Sequence, residues 1–125
     1  MPPRHVLVID DEDDIRQVVS LSLELTEGWT VQEEHAGLPG AARALASRPD
    51  VILLDVMMPG MDGPSTLLAL QSAPVTASIP VIFLTAKVQV SDRERFMHLG
   101  ARGIIQKPFD PLTLGAQIRD ILFWS

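Results

Sequence analysis

The sequence predicts an α/β fold: a doubly wound sheet of five parallel strands in the order 2-1-3-4-5, covered by five helices. Short apolar runs alternate with amphipathic stretches along all 125 residues, which is the pattern of βα units. Three of these runs are apolar at every position, as expected for strands covered by helices on both faces. In a strictly alternating chain, right-handed crossovers give a doubly wound sheet, for which 2-1-3-4-5 is a common five-stranded order.

The strands are predicted from apolar runs that end at turn-forming or charged residues. The run 51–54 is the most apolar, so we expect it at the centre of the sheet. Alternating polarity places the run 30–34 at an edge. In chain order, the predicted strands are 6–9, 30–34, 51–54, 81–84 and 103–106.

Capping signals set the predicted helix boundaries. Asp13 and Asp14 begin the first helix because carboxylates suit the positive end of the helix dipole, and Gly28 ends it. Ser91 is predicted to cap the fourth helix, and Asp110 the fifth, which then starts at Pro111. The predicted helices are 13–27, 37–46, 65–71, 91–99 and 111–122, and the stretch 73–80 is predicted to be a loop.

Composition limits the classes of function. Apolar residues make up 46% of the chain, enough for the core of one domain over residues 1–125 and too many for a disordered chain. The absence of cysteine excludes disulfides and thiolate metal sites, and it favours a reducing cytoplasm. No run is long enough for membrane insertion, and no signal peptide is expected. A net charge of −6 disfavours direct nucleic-acid binding and favours cations or basic proteins.

Five reactive or charged side chains follow four of the predicted strands. Because the carboxyl ends of parallel strands meet at one edge of a sheet, we expect these side chains to converge there. They are Asp10, Asp11, Asp55, Thr85 and Lys107.

This set suits phosphoryl transfer assisted by a metal ion. Three carboxylates form a hard, oxygen-rich site of the kind Mg²⁺ prefers, and a cation relieves their mutual repulsion. Asp55 can act as a nucleophile, since carboxylates form aspartyl phosphates. Lys107 and Thr85 can neutralise and hydrogen-bond phosphoryl oxygens. The backbone carbonyl of Met57 is a candidate further ligand, and the Lys107–Pro108 bond is a candidate for the cis form.

At this point the chain resembles a two-component response-regulator receiver domain, similar to chemotaxis regulators and either single-domain or excised from a longer protein. The family has a flavodoxin-like fold. The resemblance is carried by segments spread over the chain in the order and spacing of the family: VLVIDDE at 6–12, LDVMMPGMDG at 54–63, IPVIFLTA at 79–86, GARG at 100–103 and KPF at 107–109.

The resemblance implies a mechanism and partners. A histidine kinase or histidine phosphotransfer protein would phosphorylate Asp55, with Mg²⁺, or Mn²⁺ in its place, held by Asp10, Asp11, Asp55 and the Met57 carbonyl. Asp11 would be a direct ligand, and Asp10 would act through water. The domain would catalyse only its own phosphorylation and dephosphorylation. It would signal to a downstream protein or a fused output domain through the fourth predicted helix, the fifth strand and the fifth predicted helix.

Ile104 departs from the family pattern. Receivers usually carry Tyr or Phe at this position, and that ring rotates inward when the hydroxyl of the Thr85 type moves toward the phosphoryl group. Ile104 permits only a smaller switch, or the loop after Thr85 carries the change instead. Met57 and Lys87, near the expected path of the hydrolytic water, are expected to tune the lifetime of the phosphoryl group.

Three other functions compete with this reading. A phosphorylation-independent interaction module is favoured by Ile104. A phosphatase with Asp55 as nucleophile usually needs a second carboxylate two residues later, where this chain has Met57. A flavin carrier of the same fold class needs a phosphate loop after the first strand, where five acidic residues stand instead. Within that acidic run, Asp13 and Asp14 are interpreted as residues that start the first helix, and the role of Glu12, in the site or in the helix start, is left open.

Overall fold

The computed structural model describes residues 3–86 and 89–125, so Lys87 lies outside the described residues. Within these ranges, one sheet of five parallel strands has the order β2-β1-β3-β4-β5, which confirms the predicted topology. The central and edge positions of β3 and β2 are confirmed as well. The strands are β1 (His5–Ile9), β2 (Thr30–Glu34), β3 (Val51–Asp55), β4 (Val81–Thr85) and β5 (Gly103–Gln106).

Six helices lie in the described ranges, one more than expected. The additional one, α4, falls in the stretch predicted to be a loop. Pro74 suits its first position, and the buried Thr76 hydroxyl donates to the Leu70 carbonyl at 2.5 Å. The fourth and fifth predicted helices therefore become α5 and α6. The helices are α1 (Asp13–Glu27), α2 (Gly37–Ser47), α3 (Gly63–Gln71), α4 (Pro74–Ala77), α5 (Val90–Leu99) and α6 (Leu114–Leu122).

Two predicted helix starts are wrong. Helix α5 is capped by Gln89 rather than Ser91, through reciprocal bonds with Asp92 that form a capping box. Asp110 caps a turn instead of α6, because its carboxylate accepts a bond from the Leu112 N–H at 2.9 Å. Helix α6 then begins three residues after Pro111, since this local side-chain bond competes with helical pairing.

The helices cover the two faces of the sheet. Val19 and Leu23 of α1 pack with α6 on one face, while α2, α3 and α5 cover the other. Helix α5 is the most lightly attached of these, since Phe96 is its buried residue. The Phe96 ring packs on Phe83 of β4 with ring centroids 4.9 Å apart. No described helix is both long and apolar enough to cross a membrane.

Candidate functional site

The ends of β1 and β3 bring two carboxylates to the same point of the sheet edge. Register pairs Ile9 with Leu54, so Asp10 and Asp55, which follow them, are neighbours. The backbone N–H of Asp10 donates to the Glu34 carbonyl at 3.1 Å, and its Oδ1 accepts from the Glu12 N–H at 2.9 Å. Asp10 is thereby fixed in orientation on both sides.

Four carboxylates form the acidic cluster of the site: Asp10, Asp11, Glu12 and Asp55 each offer an oxygen, and these oxygens all lie within 4.8 Å of one another. Asp10 and Asp55 are buried, with 0% and 4% of their surface exposed, whereas Asp11 and Glu12 are exposed. Buried and exposed carboxylates together suit Mg²⁺, which binds a few hard oxygens and keeps several waters. The residues present therefore fit the ion.

Lys107 reaches the acidic cluster from the end of β5. Its Nζ lies 2.7 Å from Asp10 Oδ2, 3.4 Å from Asp55 Oδ1 and 3.5 Å from Glu12 Oε1. The backbone N–H of Lys107 donates to the Thr85 carbonyl at 2.8 Å, and the Lys107–Pro108 bond is cis, as expected. One ammonium thus bridges two buried carboxylates.

The site shifts the pKa of both buried partners. Burial disfavours the charged carboxylate and, with the nearby charge of Asp10, raises the pKa of Asp55 from 3.8 to about 7, although Lys107 opposes the change. Burial by itself would lower the pKa of Lys107, but its hydrogen bond and ion pair with Asp10 outweigh this and raise the pKa above its usual value.

Thr85 and Met57 come from the two segments next to Asp55: the end of the neighbouring strand β4 and the loop that follows β3. Thr85 ends β4 and is 5% exposed. Its strand holds the chain after Asp55 in place, because the Val56 N–H donates to the Leu84 carbonyl at 3.2 Å. The Met57 side chain is 79% exposed, and its carbonyl remains a predicted ligand.

Two residues that support the site, Arg16 and Gly63, were not predicted from the sequence. Arg16 donates to the Asp10 carbonyl at 2.6 Å and also pairs with Asp13, so it partly neutralises the acidic run. A Cβ on Gly63 would lie 2.5 Å from the Asp55 carbonyl oxygen, so only glycine allows α3 to begin this close to β3. The Asp-Gly-Pro sequence at 62–64 signals this helix start, since Asp62 is the N-cap and Pro64 sits in the first turn.

Ile104 lies opposite Phe83 in the sheet register. Its side chain is partly buried and packs against the core cluster that contains Phe83 and Phe96. An aliphatic side chain already packed at this position has no ring to swing inward.

Comparison with known proteins agrees with this geometry. A family model described as "Response regulator receiver domain" matches residues 6–119. The chain belongs to this family. It is therefore a receiver domain of two-component signalling, which is a signalling domain rather than a conventional enzyme.

Similar proteins include regulators and a chemotaxis protein. The receiver domain is 38% identical over 118 residues to the DNA-binding dual master transcriptional regulator RpaA of Synechocystis, covering 94% of this chain and 48% of that protein. It is 39% identical over 118 residues to the transcriptional regulatory protein CseB of Streptomyces coelicolor, covering 94% and 49%. The crystal structure of chemotaxis protein CheY4 of Vibrio cholerae superposes with a TM-score of 0.89 at 32% identity, covering 96% of this chain and 99% of that one.

The receiver domain spans about half the length of the curated regulators that it matches first. The CheY4 likeness, by contrast, covers nearly the whole of both chains. The comparisons thus establish the family and the fold.

Proposed function

We propose that residues 1–125 form a receiver domain in which Asp55 accepts a phosphoryl group from the phosphohistidine of a histidine kinase or histidine phosphotransfer protein. The observation that carries this proposal is the Lys107 ammonium, which lies 3.4 Å from Asp55 and 2.7 Å from Asp10 at the buried end of the sheet. A nucleophilic carboxylate beside a fixed cation is the arrangement that transfer to an aspartate requires.

In the proposed step, one ionised oxygen of Asp55 attacks the phosphorus atom. A P–O bond forms to Asp55 while the P–N bond to the partner's imidazole breaks. The ring, which carries a proton on its other nitrogen, keeps the electron pair of that bond and leaves as neutral imidazole. Lys107 moves its ionic contact from Asp55 to a phosphoryl oxygen, so the charge that balanced the carboxylate balances the new phosphate. The Thr85 hydroxyl donates a hydrogen bond to a second phosphoryl oxygen.

Asp10, Asp11, Asp55 and the Met57 carbonyl would hold Mg²⁺, or Mn²⁺ in its place. When bound, the ion supplies positive charge that neutralises the phosphoryl oxygens and the carboxylates around them. Glu12 belongs to the same acidic cluster and faces solvent. Asp10, fixed by its backbone contacts, orients the buried side of that cluster.

The proposed output runs through α5, β5 and α6 to a downstream protein or a fused output domain. RpaA and CseB are transcriptional regulators by name, so a DNA-binding partner region is one form that such an output takes. This domain has a net charge of −6, which argues against nucleic-acid binding by the receiver itself. The proposal includes the cytoplasmic location expected from the sequence.

Incubation with Mg²⁺ and phosphoramidate, followed by intact-mass measurement, tests the proposal. We expect one phosphoryl adduct on the wild-type domain and none on Asp55→Asn, because an amide is a poor nucleophile. Asp62→Asn is the matched control, with the same chemical change on the loop that follows β3. A persistent lack of adduct on the wild type, together with failure to bind beryllofluoride, would refute the proposal.

A second candidate is a phosphorylation-independent interaction module, and the packed Ile104 favours it. This candidate requires that a binding partner recognise the unphosphorylated and beryllofluoride-treated domains equally. The first proposal requires that the two affinities differ.

A further inference from the structure

Arg16 contacts three segments of the chain with the three nitrogens of its guanidinium. Nη1 donates to the Asp10 carbonyl at 2.6 Å, Nη2 pairs with Asp13, and Nε lies 3.5 Å from Glu33 Oε1. These acceptors belong to the end of β1, the first turn of α1 and the strand β2. Because the Arg16 side chain is only 14% exposed, its guanidinium forms a fixed connection between the three segments.

Glu33 is held on its other oxygen as well. The Ser20 hydroxyl donates to Glu33 Oε2 at 2.9 Å. Ser20 stands four residues after Arg16, so the two side chains leave the same face of α1. The carboxylate that anchors the guanidinium on β2 is therefore itself fixed in orientation.

The contact with Asp10 bears on the acidic cluster through the backbone. The carbonyl that accepts from Arg16 belongs to the peptide bond joining Asp10 to Asp11. Since a peptide bond is planar, this hydrogen bond fixes the direction of the chain leading to Asp11. The Asp11 side chain is exposed, and an exposed carboxylate on a mobile backbone would have many orientations to lose on binding an ion. Arg16 thus reduces the freedom of a predicted metal ligand that it orients through the backbone.

We propose that Arg16 is a positioning residue for the metal site and determines its preference for Mg²⁺ over Ca²⁺. The inference rests on the proposed Mg²⁺ site in the acidic cluster. Mg²⁺ demands near-octahedral geometry with short bonds, whereas Ca²⁺ accepts roughly six to eight oxygens in a flexible arrangement. Loosening the backbone between Asp10 and Asp11 therefore weakens the binding of Mg²⁺ more than that of Ca²⁺.

A purely electrostatic role of Arg16 gives a different result. Its positive charge opposes any divalent cation nearby, and this opposition is about the same for two ions of equal charge. The ratio of the Mg²⁺ and Ca²⁺ dissociation constants therefore responds to the geometry of the site and hardly to the charge of Arg16.

Calorimetric titration with Mg²⁺ alone and with Ca²⁺ alone tests the inference on the wild type and three variants. Arg16→Lys keeps the charge, but a single ammonium cannot occupy the three positions of the guanidinium nitrogens. Arg16→Gln removes the charge as well. Arg43→Lys is the matched control, because Arg43 of α2 pairs at 2.8 Å with Glu34, the neighbour of Glu33 on β2.

We expect Arg16→Lys to weaken Mg²⁺ binding by about tenfold, the lower end of the usual effect for residues that orient metal ligands. Ca²⁺ binding should weaken by less than about threefold, since that ion tolerates a looser site. Arg16→Gln should change the ratio of the two dissociation constants in the same direction, and Arg43→Lys should leave it unchanged. Urea denaturation in EDTA measures stability separately, because a merely structural role would lower stability without changing the ratio.

Two results overturn the inference: a wild-type ratio in Arg16→Lys, or an equal change of the ratio in Arg43→Lys. If Arg16→Lys does not fold, Glu33→Ala replaces it, since this change removes one anchor of the guanidinium at an exposed position. The ratio should then shift in the same direction, and an unchanged ratio overturns the inference.

These overturning results leave the proposed phosphorylation of Asp55 intact, because the phosphoramidate experiment tests it separately. Failure of the wild type to bind either ion would instead remove the proposed metal site, and this inference with it.

Discussion

At the scale of single residues, the site holds more negative charge than one cation can balance. Lys107 lies within 3.5 Å of three carboxylates, but its shortest contact, 2.7 Å, is to Asp10. Burial and then the nearby charge of Asp10 raise the pKa of Asp55 to about 7, and the more distant Lys107 offsets only part of that change. In the absence of a metal ion, Asp55 is therefore protonated over a wider range of pH than an ordinary aspartate.

The pH dependence of stability follows from that shift. The folded pKa of Asp55 lies above the ordinary 3.8, so between these values the folded state binds more protons than the unfolded chain. Its contribution to the free energy of unfolding is therefore lost as the pH rises through this window. In EDTA, Asp55→Asn should stabilise the protein by roughly 1 to 3 kcal/mol at about pH 8, and by much less at about pH 4.

Urea denaturation at the two pH values measures this difference. Asp120→Asn, at an exposed position in the last turn of α6, is the matched control and should show no such pH dependence. An equal gain for Asp55→Asn at both pH values would mean that neither burial nor the charge of Asp10 raises the pKa of Asp55 in the folded protein.

At the scale of elements, the strands were easier to predict than the helix starts. A fully apolar run such as β3 has few alternatives to a buried strand, because all five of its residues are buried. The starts of α5 and α6 depend on which of several polar side chains bonds the free N–H groups. In α5 the cap is Gln89 and not Ser91. The Asp110 carboxylate accepts a hydrogen bond within a turn and does not cap α6.

The start of α3 allows an element-scale prediction. The Asp62 carboxylate accepts from the Ser65 N–H at 2.8 Å, and that bond lowers the pKa of Asp62. Asp62→Ala should destabilise the protein by about 1 kcal/mol at neutral pH, the usual cost of a lost N-cap.

The sign of the pH effect is opposite to that of Asp55. Because the pKa of Asp62 is lower in the folded state, its ionised carboxylate stabilises the fold at pH values above the ordinary pKa. That stabilisation is lost as the pH falls through the pKa of the folded state. The difference between the wild type and Asp62→Ala should therefore shrink below about pH 4 in urea denaturation. Ser65→Ala keeps the backbone donor and removes only the bond from the Ser65 hydroxyl to Asp62, so it should cost less than Asp62→Ala. A loss of the same size in Ser65→Ala would point away from the backbone cap.

At the scale of the whole molecule, the sheet order and the convergence at its edge were predictable from the sequence. Parallel strands bring their carboxyl ends together whatever the details of packing, so Asp10, Asp55 and Lys107 meet as expected. Arg16 was not predictable as a partner of Asp10, because a charged residue on a helix gives no sign of which backbone carbonyl it reaches. The pocket between β4 and α5, which Thr85 and Arg95 line, was not predictable either, because it depends on how α5 packs against β4.

Metal binding should stabilise the whole fold, because the ion binds the assembled acidic cluster. At a Mg²⁺ concentration of about 100 times Kd, the free energy of unfolding should rise by about 2.7 kcal/mol. Asp11→Ala should weaken Mg²⁺ affinity by on the order of tenfold or more. Thermal denaturation and calorimetric titration measure both effects, with Asp14→Ala as the control in the first turn of α1. Unchanged affinity in Asp11→Ala would exclude Asp11 as a ligand.

The light attachment of α5 has a consequence for how this domain can be altered. Because Phe96 is its buried residue, exposed positions such as Arg93, Glu94 and Met97 contribute little to folding, and substitutions there usually change stability by less than about 0.5 kcal/mol. Natural variation can therefore change these exposed positions of α5 at little cost in stability while the acidic cluster stays intact. Laboratory redirection of the domain toward a new partner should begin on the same surface.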